Sequence, residues 1–139
     1  MGAVETVFAE YDRLRLSLGI PDGSRDLVLD KSILLESGFD ELNGVDWQKG
    51  CYIGQELTAR MKHRGTARKR LLSIAAPDGT MLPPNDTSVT ADGRELGALT
   101  NAYGSRGFAL IRLDRLDEAG NASIDAGDVV VRLNAPPGA

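Results

Sequence analysis

Cys51 is the only cysteine in the chain and His63 the only histidine, so any thiol or imidazole chemistry rests on these two positions. Cys51 follows Gly50 and precedes a segment that reads as a helix over 54–64. The free amides and positive dipole end of such a helix favour a thiolate. A thiolate is a nucleophile, a soft metal ligand or one half of a mixed disulfide. Position alone nevertheless favours a plainer role, because a lone cysteine is usually a small buried hydrophobe. Gly50 and Gly54 let the backbone turn tightly and bring its amides close to a ligand, or they serve an ordinary loop-to-helix junction. One cysteine permits no intrachain disulfide and no all-cysteine metal site, which leaves Cys51/His63 as the one available pair of thiol and imidazole base.

A second group is electrostatic. Between Arg60 and Arg70 stand six Lys/Arg and no acid, whereas the rest of the chain holds ten Lys/Arg against twenty Asp/Glu. A local charge of +6 therefore sits in a remainder of −10. Arg60, Lys62, His63, Arg64, Arg68, Lys69 and Arg70 could hold phosphate, carboxylate or a polyanionic tail, or could form a solvated face. The acidic remainder and the lack of aromatic residues inside the run argue against direct nucleic-acid binding. Arg15 and Glu36, taken singly, read as surface or capping charges.

The elements that must position these residues fall into two textures. Val4, Val7, Phe8, Tyr11, Leu14 and Leu18 recur every three or four residues and predict an amphipathic helix from about Val4, with that stripe facing a core. Gly19 and Pro21 stop it. Residues 27–48 mix short apolar clusters with turn formers and read as irregular, with one short helical turn. The helix after Tyr52 carries Leu57 and Met61 four apart, Glu56 in its first turn, and Lys62, His63 and Arg64 in its last, matching the helix dipole; Gly65 ends it. Beyond Thr66, short β-prone runs are separated by turn residues about every ten positions, as in a small antiparallel barrel. Strands are expected near Leu71–Ala76, Ser88–Ala91, Leu96–Ala102, Phe108–Leu113, Ser123–Ile124 and Val129–Leu133. Asp92-Gly93 is a hairpin signal, and Arg106-Gly107 suggests a further turn. Residues 135–139 read as a disordered tail.

With 139 residues, 42% of them hydrophobic and 26% charged, the chain can build one ordinary core or two small units sharing an interface. It has no apolar run long enough to span a bilayer and no secretory signal, which suggests a cytoplasmic setting. The abrupt start at a helix suggests an expressed fragment.

Lys49-Gly50-Cys51-Tyr52-Ile53-Gly54-Gln55-Glu56 resembles the signature octapeptide of the YgfZ family of iron–sulfur accessory proteins. The flanks match as well: Leu57-Thr58-Ala59-Arg60 and His63-Arg64-Gly65 through Lys69-Arg70-Leu71 downstream, Arg15 with Gly19-Ile20-Pro21 upstream. Leu35-Glu36, Phe39-Asp40, Leu42 and Gly44-Val45 resemble the stretch leading into the octapeptide. The family is related to the glycine-cleavage T-protein, a tetrahydrofolate-dependent aminomethyltransferase whose corresponding stretch typically reads Lys-Gly-Asp-Phe-Ile-Gly. Cys-Tyr at that place favours the iron–sulfur branch, with an aminomethyltransferase-like enzyme as the alternative. The resemblance implies an α+β chain: residues 1–65 as the C-terminal part of a folate-binding-like domain, mainly helical, and 66–134 as a β-barrel. It implies tetrahydrofolate-linked assembly or repair of iron–sulfur clusters in client enzymes, including radical enzymes that thiolate tRNA, more in the manner of an accessory protein than of an enzyme. Cys51 is then the key thiol and a transient metal ligand, and Lys49, Gly50, Tyr52, Gly54, Gln55 and Glu56 are its motif. Arg15, Glu36, Arg60 and Lys62 are candidate folate contacts. Partners are iron–sulfur client or assembly proteins, in the bacterial cytoplasm or, alternatively, the mitochondrial matrix. Family members run to about twice this length, so the first 65 residues are expected to lack packing partners here.

Overall fold

The alternating runs after residue 68 become six antiparallel strands in a computed structural model that describes residues 4–65 and 67–134 together with Gly2. They are β1 (Lys69–Ala75), β2 (Ser88–Ala91), β3 (Arg94–Tyr103), β4 (Arg106–Arg112), β5 (Ile124–Ala126) and β6 (Val129–Asn134). They close into a barrel in the order β1-β4-β3-β2-β5-β6, so the fold class is α+β with a closed antiparallel barrel. Closure removes the unpaired edges that a six-stranded sheet would otherwise present. Period-two alternation places Leu72, Ile74, Val89, Ala91, Leu96, Leu99, Ala109, Ile111, Ala126 and Val131 inside.

So narrow a barrel needs glycine at two strand positions. A Cβ on Gly97 would lie 2.0 Å from the Leu110 carbonyl oxygen, and one on Gly107 would lie 2.1 Å from that of Asn101. The register slips between Val89 and Thr90 and again between Leu99 and Asn101, the bulges that bend strands into closure. Asp92 and Gly93 form the expected hairpin turn, both at positive φ (47° and 74°). The turn expected at Arg106-Gly107 lies two residues earlier, at Gly104 and Ser105, and Arg106 and Gly107 open β4 instead. Gly107 signals close backbone approach there and not chain reversal. A short helix, Leu113–Ala119, occupies a connection read as loop. Its Leu116 and Ala119 pack on the barrel core, and seven residues are too few for a period to stand out in sequence.

Upstream lie helix α1 (Phe8–Ser17) and helix α2 (Gln55–Arg64); in chain order the Leu113–Ala119 helix is α3. α1 starts four residues later than expected, and its orientation reverses the expectation. Val7 is 67% and Leu14 58% exposed, and Phe8, Tyr11 and Leu18 are likewise open, while Leu16 is 3% exposed and packs with Leu71 and Phe108 outside the barrel. The buried side of α1 is mostly polar, carrying Asp12 and Arg15. Ion pairs made by this side hold it against the protein, so the apolar stripe is left facing outward. Residues 18–54 contain turns and no regular element, in line with their poor periodicity. α2 is bounded by left-handed glycines, Gly54 (φ 87°) and Gly65 (φ 61°), and buries only Thr58; Leu57 is exposed. The expected tail, 135–139, lies outside the described residues.

Candidate functional site

The octapeptide forms the loop that enters α2. Two residues at positive φ frame it, Gly50 (38°) and Gly54 (87°), the latter capping the helix. Non-glycine residues adopt such angles only at a cost, which explains both glycines by backbone geometry. The turn between them is locked reciprocally: the Tyr52 amide donates to Gln55 Oε1 at 3.1 Å, and the Gln55 amide donates to the Tyr52 carbonyl oxygen at 3.2 Å. Thr58 donates its hydroxyl and its amide to the Gly54 carbonyl, each at 3.2 Å. Lys49 Nζ stands 5.9 Å from the centre of the Tyr52 ring, and Glu56 pairs with Arg60 one helical turn on.

Cys51 is exposed and its thiol is free. The buried-hydrophobe reading of this residue is therefore overturned. The loop presents the thiol to solvent beside a fully exposed Ile53, a setting open to another macromolecule. His63 occupies the last turn of α2, about 12 Å of helical rise beyond Gln55, and Cys51 precedes Gln55. The Cys51/His63 dyad is not assembled. Among the described residues no group of three or more His, Cys, Asp or Glu side chains could hold a metal ion, so Cys51 belongs to no such cluster there.

Arg15 is not a surface or capping charge. It is 3% exposed, donates to Asp12 Oδ1 through Nε at 2.7 Å, and donates through Nη1 to Asp26 Oδ2 at 2.5 Å and to the Ile20 carbonyl at 3.2 Å. Asn101, at the β3 bulge, donates to Asp26 Oδ1 (2.7 Å) and to the Arg25 carbonyl (3.0 Å). Arg25 donates to both oxygens of Asp12 at 2.6 and 2.7 Å. Hydrogen bonds from Arg25, then Arg15, hold the Asp12 carboxyl below its ordinary value against the opposing effect of burial. Burial pulls the Arg15 guanidinium down, and its bonds to Asp26 and Asp12 outweigh this and raise it. Asp22, bonded to the hydroxyl and amide of Ser24 and to Arg25, is lowered to about 2. This network fastens α1 and the 20–26 turn to the barrel.

The remaining candidates are dispersed. Glu36 is half-buried, and its carbonyl accepts from the Leu71 amide at 2.7 Å. Arg60 lines an open concavity with Tyr52, Gln55 and Leu57. Lys62 lines a different groove, its Nζ 3.6 Å from the centre of the Trp47 ring. Arg70 is a clamp: it donates to the Leu35 carbonyl at 2.7 Å and pairs with Asp40 and Glu41. Arg15, Glu36, Arg60 and Lys62 thus do not converge. Arg15 is consumed by carboxylates of its own chain, and these four side chains do not line one pocket among the described residues. Sequence reasoning missed Asp12, Asp26 and Asn101. Only Asp12 had a signal, its position three residues before Arg15 on one helix face.

Residues 68–139 match the family described as "CAF17, C-terminal beta-barrel domain". The chain is 39% identical over 110 residues to the human protein named "Iron-sulfur cluster assembly factor IBA57, mitochondrial", covering 77% of this chain and 31% of that protein. It is 40% identical over 111 residues to the mouse protein of the same name, with the same coverage. With the Neurospora crassa homologue it shares 50% over 64 residues, 46% of this chain and 15% of that one. The chain thus spans about a third of the human and mouse proteins. No described helix is long and apolar enough to cross a membrane. Matching family and closed six-stranded barrel agree, and the chain belongs to the CAF17 C-terminal β-barrel domain family.

Proposed function

We propose that this chain is the C-terminal part of an accessory protein for assembly or repair of iron–sulfur clusters, of the YgfZ type, and that Cys51 is its working thiol. The observation that carries this reading is the exposure of Cys51 on a loop held by two left-handed glycines and a reciprocal Tyr52–Gln55 lock. A lone exposed cysteine offers iron one ligand and no more, so the other ligands of any cluster it meets come from a partner, as suits a transient step between proteins. The names of the human and mouse relatives support the cluster-assembly role, and the word mitochondrial in them supports the matrix over the bacterial cytoplasm. The tetrahydrofolate link belongs to the full-length protein, with pocket residues supplied largely from outside this chain. Radical enzymes that thiolate tRNA are among the proposed clients.

The test is complementation. Full-length protein carrying Cys51→Ala is expected to fail to restore 4Fe–4S client activity in cells lacking the protein, while melting as the parent does because the side chain is exposed. Restoration equal to the parent removes the proposal.

A further inference from the structure

The basic run divides once its partners are known. Arg60 is paired with Glu56, Lys62 is seated on Trp47, and Arg70 is held by Asp40 and Glu41. Arg64, Arg68 and Lys69 are exposed and make no ion pair among the described residues. They sit where the last turn of α2 runs into β1, with Arg64 and Arg68 four residues apart and so within about 14 Å. The barrel adds to them: Lys69 lies directly opposite Arg112 in the β1–β4 register, and the Leu113 amide donates to the Arg68 carbonyl at 3.0 Å. Arg112 is paired with Asp114, whose hydrogen bond and charge hold its guanidinium above the ordinary value, whereas Lys69 has no ion-pair partner among the described residues.

We infer that Arg64, Arg68 and Lys69 form a docking surface for a short acidic segment of a partner protein. Carboxylates from outside would pair with the unpartnered Lys69 and meet arginines suited to bidentate pairing. The charge distribution selects a short carboxylate segment over a nucleic acid. A long polyanion leaving the patch would cross a surface that carries −10 outside residues 60–70, and single-stranded nucleic acid needs exposed aromatic faces, whereas Trp47, half-open in the groove nearby, is capped by Lys62. The surface lies at the far end of α2 from Cys51, so a partner held there could reach the thiol with another part of its surface. The inference does not depend on the chemistry of Cys51.

The test titrates the chain with a fluorescein-labelled polyglutamate peptide, read by anisotropy at low salt, with a labelled oligouridylate as a second probe. The Arg64→Glu/Arg68→Glu/Lys69→Glu variant is expected to bind the peptide about ten-fold more weakly. A charge-matched control, Lys31→Glu/Arg94→Glu/Arg132→Glu, is expected to stay within about two-fold of the parent. Circular dichroism on each variant confirms that it is folded. Cys51→Ala should bind the peptide as the parent does, which separates this result from any failure at the thiol. Equal losses in both triple variants, no loss in the first, no peptide binding by the parent, or tighter binding of the oligouridylate would each overturn the inference.

Discussion

At the scale of single residues, the chemistry of this chain divides into one open group and one closed network. Cys51 is open, and replacing it should cost function and not stability. The Asp12–Arg15–Asp26 network is closed, and its loss should do the reverse. Asp26 has no exposed side-chain surface and neutralises an Arg15 that is itself buried. Asp26→Ala would leave that guanidinium with a single carboxylate partner of its own chain, at a cost of about 3–5 kcal/mol, measurable by urea denaturation. The network also sets a pH dependence. Asp12 lies below its ordinary 3.8 and Asp22 at about 2 in the folded chain, so what they contribute is complete above 3.8 and is lost as acid drops through those lower folded values. Thermal melting temperature is expected to hold steady from neutral pH to about 5 and to fall from about 4 to 2. A melting temperature rising across that lower range would contradict the assignment.

At the scale of elements, α1 is the informative case. Its sequence has the spacing of an amphipathic helix, but the stripe that spacing identifies is the exposed one. In that stripe Val7 and Leu14 are exposed, so Val7→Asp and Leu14→Glu should shift unfolding free energy by no more than about 0.5 kcal/mol. Leu16→Ala, which empties the contact with Leu71 and Phe108, should cost about 2–4 kcal/mol. Equal effects of the two kinds of substitution in urea titrations would mean that α1 packs the other way round. The strands were legible from alternation and turn residues because a small barrel needs an inside and an outside at every second residue. Helix α3 was not, since its two core contacts, Leu116 and Ala119, come from a segment too short to display a period. Nor were Gly97 and Gly107 as close-approach positions, because the carbonyls they admit belong to neighbouring strands.

For the whole molecule, stability is concentrated in the barrel and thins toward the octapeptide. Val89, Ala109, Ile111 and Ala126 are fully buried, whereas α2 buries one residue, Thr58. Native-state hydrogen exchange should accordingly be slowest in β1, β3 and β4 and fastest from Gly50 through α2. Protection of α2 equal to that of β4 would show a packing partner for it. Because the candidate folate contacts are dispersed, calorimetric titration of this chain with tetrahydrofolate is expected to give no binding heat. A saturable isotherm would restore a pocket.

What the sequence determined by itself is local or periodic in origin. It set the six strands, the Asp92-Gly93 turn, the glycine-bounded start and end of α2, and the single thiol among its motif residues, since each depends on backbone geometry or on residues within a few positions. Tertiary structure alone decided which side of α1 is buried, that Arg15 is spent on an Asp26 itself held by Asn101 of the barrel, and that Cys51 faces solvent. Those outcomes depend on which distant groups meet, 75 positions apart in the bond from Asn101 to Asp26, and burial of a charge is settled only by the partners that compensate it.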